Sequence, residues 1–168
     1  GFKTALVEKT VWFGGLATSG LINIYLPLCD GNGRQVIYGI AEELLQLSMR
    51  YGPGTVPPGW KNGAPGERKS RYLVHFSPAA FVLALDEVLQ SAGVSLYLDT
   101  LACLPVLEGR RVTGVEVENK GGRGLLSAKC VIDATGDADL AYRAGASCVV
   151  QDNWMSFWSH QISKEKLA

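Results

Sequence analysis

Two short stretches of this chain carry residue types that can hold a nucleotide. The first, "ALVEKTVWFGGLATSG" (residues 5–20), closes an apolar run with an acid, Glu8, and continues into "GGLATSG", three glycines and two hydroxyls within seven residues. A carboxylate at a strand end accepts both hydroxyls of a ribose, because an anionic acceptor binds a diol bidentately. Glycines without a Cβ let backbone N–H groups face a phosphate or a planar ring. The second stretch, "VIDATGDADLAYRAGA" (131–146), reads as a strand that breaks at Thr135-Gly136 into a helix starting at Asp137. That break would present free N–H groups and a positive dipole end to a pyrophosphate. Taken singly, each feature has a plainer reading: a solvated glutamate, an ordinary glycine turn, a helix capped by Asp137 or Thr135. Their combination places both loops at the carboxyl edge of one sheet, where open α/β sheets bind ligands.

The elements that must position these loops are legible in the periodicities. "TALVE" (4–8) is a continuous apolar run, the pattern of a strand in a parallel sheet. "DGNGR" (30–34) is a turn, and Val36, Ile37, Ile40, Leu44, Leu47 and Tyr51 recur at helical spacing, predicting a helix over 35–51. Residues 52–71, rich in proline and glycine, read as a surface loop insert. "SPAAFVLALDEVLQSAG" predicts a second helix with Ser77 as N-cap, Pro78 in its first turn and Gly93 past its end. "VSLYLDT" (94–100) follows as a strand. Then "LACLPVLE", "RRVTGVEVEN" and "GLLSAKCVIDAT" predict three strands joined by short turns, an antiparallel meander supported by alternation at Val112, Val115 and Val117.

Composition sets outer bounds. With 47 % hydrophobic and 19 % charged residues among 168, the chain can bury a real core. Sixteen basic side chains balance sixteen acidic ones and the longest basic cluster is "ERKSR" (67–71), so neither nucleic acid nor an anionic membrane is an expected partner. The apolar stretch 21–29 is broken by Asn23 and Pro27 and is too short for a membrane helix, and no leader pattern opens the sequence. Cys29, Cys103, Cys130 and Cys148 are far apart, which suits reduced thiols of a cytoplasmic protein and neither a disulfide scaffold nor a zinc site. His75, His160 and Arg34 read as structural or solvated residues. Trp154, Phe157 and Trp158 read as an apolar strand leading toward a substrate or cap domain.

Taken together, "ALVEKTVWFGGLATSGLI", "DGNGRQVIYGIAEEL", "FSPAAFVLALDEVLQSAGVSLYLDT" and "RRVTGVEVENKGGRGLLSAKCVIDATGDADLAYRAGA" resemble the FAD-dependent oxidoreductases related to the glutathione-reductase fold, over residues 1 to about 150. The resemblance implies an FAD/NAD(P)-binding Rossmann-like α/β domain with a parallel sheet, flanking helices and a three-stranded antiparallel meander. It also implies a first βα unit, bearing a GxGxxG loop, upstream of Gly1, so that 1–150 would form a partial FAD-binding domain and 151–168 the start of a substrate domain or tail. Carried over, Glu8 would bind the adenosine ribose, and Gly14, Gly15, Ala17 and Thr18 would approach the pyrophosphate and flavin. Ala102 would lie near adenine, and Ala134, Thr135 and Gly136 near the pyrophosphate and ribityl chain.

The redox CxxxxC of the wider superfamily's dithiol reductases is replaced by Ala17 and Ile22, which excludes disulfide reductase chemistry at this loop, and Ala79 stands where the family places an acid. The implied activity is flavin-mediated hydride or electron transfer on a small molecule, with NAD(P)H a candidate donor and a homo-oligomer a candidate assembly. The alternatives are a scaffold that binds no FAD, or a hydratase or isomerase whose flavin is structural. No residue qualifies as a catalytic acid or base, and no metal is called for.

Overall fold

A computed structural model of the chain describes residues 1–32, 34–57, 59–60 and 72–150. By contacts the described residues form two compact units, one made of Gly1–Val11 with residues 94–150, the other of Trp12–Gly93.

In the first unit, β1 (Ala5–Val7) pairs in parallel with β4 (Ser95–Tyr97), with Ala5 opposite Ser95 and Val7 opposite Tyr97. Backbone groups withdrawn from water here bond to one another, and the pairing continues past the strand ends: Glu8 N–H donates to the Tyr97 carbonyl at 2.9 Å and Thr100 N–H to the Glu8 carbonyl at 3.0 Å. The expected meander is present as β5 (Leu101–Glu108), β6 (Arg111–Asn119) and β7 (Gly122–Ser127), in that spatial order and antiparallel throughout. Gly109, with φ 62°, supplies the left-handed turn between β5 and β6.

The alternation expected at Val112, Val115 and Val117 is broken by a bulge, and Val112 is not part of the buried cluster. Val112 and Val115 are three residues apart, an odd number, and would point to opposite faces of a regular strand. The register shifts between Val106–Gly114 and Leu107–Val112, leaving Thr113 as the extra residue on β6. Val115 and Val117 are buried with Leu140, and Val7, Ala102, Leu126 and Val131 pack around them. Leu140 lies on α3 (Asp139–Arg143), a single short helix that closes this core.

The third meander strand is shorter than predicted. It ends at Ser127, and Val131–Ala134 takes no regular secondary structure, with Ile132 85 % exposed. Apolar runs predict burial against a neighbour, but a strand requires a ladder partner, which is absent for this segment among the described residues.

In the second unit, β2 (Ile24–Tyr25) pairs antiparallel with β3 (Val74–His75), alongside α1 (Ile40–Met49) and α2 (Pro78–Ser91). Leu28, Cys29, Leu45, Trp60 and Val74 form its core. The Phe76 ring packs on Tyr25 and Phe81 at centroid distances of 5.2 and 5.4 Å. Helix α1 begins later than the predicted residue 35. Gln35 bridges Cys29, Val36 N–H donates to Leu28 at 2.9 Å, and Gly39 adopts φ 57°, so the "DGNGR" turn sends the chain back as an extended arm before the helix starts. Ile37 joins the core from that arm, outside the helix. The turn itself is held by Asp30, whose Oδ1 accepts from Asn32 N–H at 2.6 Å and Arg34 N–H at 3.1 Å. The Asn32 bond, ahead of the Arg34 contacts, holds this carboxyl below its usual range.

Of the predicted loop 52–71, residues 58 and 61–71 lie outside the described residues, as does the whole of 151–168 with its aromatic cluster and His160. In the described part, Trp60 is buried, and its carbonyl accepts the Cys29 thiol at 2.8 Å. Burial first, then the Asp30 charge, pushes that thiol upward, so it is an inert packing group. All four cysteines are free, and no helix among the described residues is long and apolar enough to cross a membrane.

Helix α2 follows its sequence signals closely. Ser77 Oγ accepts from Ala80 N–H at 3.3 Å, Pro78 opens the first turn, and Gly93 takes φ 67° just past the end. Ser77→Ala is expected to cost about 1 kcal/mol of folding stability. Urea denaturation checks it, and a midpoint equal to wild type would mean that the cap contributes nothing.

Candidate cofactor-binding site

Within the first unit, the sequence-predicted residues Glu8, Ala102, Ala134, Thr135 and Gly136 fall on three segments. Glu8 directly follows β1, is partly buried, and its Oε1 accepts the N–H of Thr10 at 2.8 Å, which orients the carboxylate. Beside it, Asp99 N–H donates to the Thr10 carbonyl at 2.9 Å, so the loops after β1 and β4 are fastened together. Ala102 sits near the start of β5, opposite Val117, where its small side chain packs on the valine core.

The loop after Val131 is organised by a residue the sequence pattern did not single out. Asp133 Oδ1 accepts from Thr135 N–H at 3.0 Å and Thr135 Oγ1 at 2.8 Å, while Oδ2 accepts from Ala141 N–H at 2.8 Å. These bonds, that from Ala141 foremost, hold the Asp133 carboxyl below its usual range. Thr135 Oγ1 in turn accepts from Asp139 N–H at 3.0 Å. The helix therefore starts at Asp139 and not at Asp137: its N-cap is Ala138, with φ 58°, and Thr135 supplies the capping oxygen from outside the helix. An Asp two residues before a Thr was a readable signal, since both side chains bond neighbouring backbone in turns.

The consequence is a run of three unused donors. The N–H groups of Gly136, Asp137 and Ala138 have no partner among the described residues, and all three residues are exposed. Gly136 takes φ 94°, and the space where a Cβ would project is open. Consecutive free N–H groups in a turn bracketed by left-handed residues bind anions without any side-chain charge.

In the second unit, the glycine loop forms a 3₁₀ turn over Gly15–Ala17. Gly14 has φ 111° and Gly15 φ 48°, and their N–H groups carry no partner among the described residues. The Cβ direction of Gly15 is open, so a ligand can approach that backbone closely. Ala17 N–H donates to the Gly14 carbonyl at 3.0 Å and Thr18 N–H to that of Gly15 at 3.2 Å. Thr18 is only 3 % exposed and its hydroxyl donates to the Phe13 carbonyl at 2.7 Å, so its side chain shapes the loop and offers a ligand no hydroxyl. His75 lies in β3 and Arg34 flanks the Asp30 turn. No cluster of three metal-ligating side chains occurs among the described residues.

The first unit thus carries a strand-end carboxylate and a run of N–H groups without a partner among the described residues, and the second a glycine backbone open to close approach. The chain belongs to the FAD dependent oxidoreductase family, whose model matches residues 1–159, and FAD is the cofactor of that family. Among solved structures the chain is similar to THI4 of Thermovibrio ammonificans, with a TM-score of 0.53 and 19 % identity, a likeness of fold. The match covers 85 % of this chain and 52 % of that one, so the chain spans about half the length of that structure. No curated protein is significantly similar to it.

Proposed function

We propose that this chain supplies adenosine, pyrophosphate and flavin contacts to FAD in an oxidoreductase that transfers a hydride or electrons to or from a small-molecule substrate. The observation that carries this reading is the loop 136–138, where Asp133 holds three adjacent N–H groups away from internal partners. Left to water, such donors gain nothing from the order imposed on them; a pyrophosphate would use them all. Glu8 Oε2 would accept the ribose hydroxyls, Ala102 would flank adenine, and Ala134, Thr135 and Gly136 would follow the pyrophosphate and ribityl chain. Gly14, Gly15 and Ala17 would let the flavin or phosphate lie against their backbone, with Thr18 bracing the turn. When bound, the flavin supplies the hydride and electron chemistry. The residues of this chain bind and orient it.

NAD(P)H is the proposed electron donor class, and a cytoplasmic compartment is proposed on the strength of four free cysteines. Balanced charge argues against nucleic acid as a partner.

The test is direct. FAD added at about 100 times its dissociation constant should stabilise the protein by about 2.7 kcal/mol, seen as a raised melting temperature, and bound flavin should be bleached by a reductant under anaerobic conditions. A protein that shows no thermal shift and retains no flavin on gel filtration would overturn cofactor binding. Bound flavin that stays oxidised across a panel of reduced nicotinamides and candidate substrates would overturn the redox role alone.

A further inference from the structure

Thr100 is 1 % exposed, although Leu98 and Asp99 before it face solvent. A buried hydroxyl is costly unless both its donor and acceptor roles are filled. Here Oγ1 donates to the Leu98 carbonyl at 2.7 Å and accepts from Asn119 Nδ2 at 3.2 Å. Asn119, the last residue of β6, is itself fixed, because its Oδ1 accepts from Gly121 N–H at 2.8 Å in the β6–β7 turn. The backbone of Thr100 donates to the Glu8 carbonyl at 3.0 Å, and two residues further on Ala102 pairs with Val117. The order of attachment is therefore meander turn, Asn119, Thr100, Glu8. Asp99 in between adopts φ 48°, a left-handed conformation that a residue with a Cβ holds only when its surroundings impose it.

We propose that Thr100 and Asn119 are positioning residues for the adenosine half of the cofactor, their side-chain hydrogen bond fixing the distance between the Glu8 carboxylate and the Ala102 backbone. The inference rests on the FAD reading above. Both side chains are engaged by the protein itself, so they act through the loop they hold. Ribose recognition by a carboxylate requires heavy-atom distances within a few tenths of an ångström, and a displaced loop forfeits it.

The experiment is titration of the full chain and its variants with FAD and with ADP, the latter probing the adenosine half alone, at a temperature where circular dichroism shows each variant folded. Asn119→Ala and the near-isosteric Thr100→Val are expected to weaken FAD and ADP by the same factor, about tenfold, whereas Thr100→Ser, which keeps the hydroxyl, restores both. Unchanged affinities in a variant whose melting temperature falls would assign the pair a structural role only and overturn the inference. A loss for FAD that ADP does not share would overturn it too, by placing the effect elsewhere on the cofactor. If Asn119→Ala does not fold, Thr100→Val against Thr100→Ser decides by the same criteria. A wild-type chain that binds neither ligand would instead defeat the FAD reading itself, and this inference with it.

Discussion

Asp133→Asn is expected to weaken FAD binding about tenfold or more and to cost about 2 kcal/mol of folding stability at neutral pH. The carboxylate accepts from Thr135 N–H, Thr135 Oγ1 and Ala141 N–H on its two oxygens. An amide keeps one acceptor oxygen and turns an NH₂ toward a donor that cannot accept it. Either the Thr135 turn or the first turn of α3 must then let go. With it goes the arrangement that keeps the N–H groups of 136–138 available to an anion. The pH dependence carries a definite sign. Asp133 has its carboxyl lowered by hydrogen bonds to Ala141 and then Thr135, so its contribution is complete above the unfolded carboxyl range and is lost as pH falls through the lower folded value. The stability gap between wild type and Asp133→Asn should therefore be constant from neutral pH down to about pH 5 and narrow below about pH 4. Denaturation curves at several pH values measure it. A gap that stays constant into the acid range would show that charge at this position is irrelevant.

Gly14→Ala is expected to destabilise the protein by about 2–4 kcal/mol, through two additive causes. At φ 111° the backbone lies where an L-residue with a Cβ is strained. The new methyl would also stand 2.5 Å from Thr18 Cγ2 and 2.8 Å from its Oγ1, with Leu85 Cδ1 at 3.1 Å. Thr18 cannot swing clear, because it is buried and its hydroxyl is bonded to the Phe13 carbonyl. The adjacent Gly15 is the control: its φ of 48° is the milder left-handed region, and a methyl added there would meet nothing within 4 Å. Gly15→Ala should cost about 1 kcal/mol. Thermal or urea unfolding of the pair separates crowding from backbone strain, and equal stabilities would remove the steric argument.

The two glycines show how far residue type alone can be read. "GGLATSG" announces a tight turn open to close approach, yet its two neighbouring glycines serve different purposes, and their letters are identical. Gly14 is required by an internal contact with a residue four positions on. Gly15 is open toward a ligand. The same holds for hydroxyls: Thr18 and Thr135 both sit in loops expected to face a cofactor, and in both the oxygen is engaged by the protein itself. Asp133 lies inside a stretch whose letters point to a nucleotide, but its role depends on Ala141, eight residues away, reaching back to it.

Local signals decided the elements whose causes are local. The apolar run ending at Glu8, the capped and terminated helix Pro78–Ser91, the Asp30 turn and the three meander strands all follow from side-chain period, capping oxygens and left-handed glycines, which act within a few residues. Family membership was legible for the same reason, since the order of those elements and the acid and glycines between them are linear facts. Tertiary structure alone decided where pairing stops and which polar groups remain free. Strand β7 ends at Ser127, beyond which no ladder partner lies among the described residues, and α1 waits until Ile40 because the bonds Asp30 N–H to Arg34 and Val36 N–H to Leu28 pair Gln35 with Cys29 in an extended arm. The bulge at Thr113 and the Thr100–Asn119 bond arise from contacts between distant segments, and the three N–H groups after Thr135 are left without a partner among the described residues. A hydrogen-bond donor is defined as available only by the absence of every internal acceptor, and no linear pattern encodes that absence.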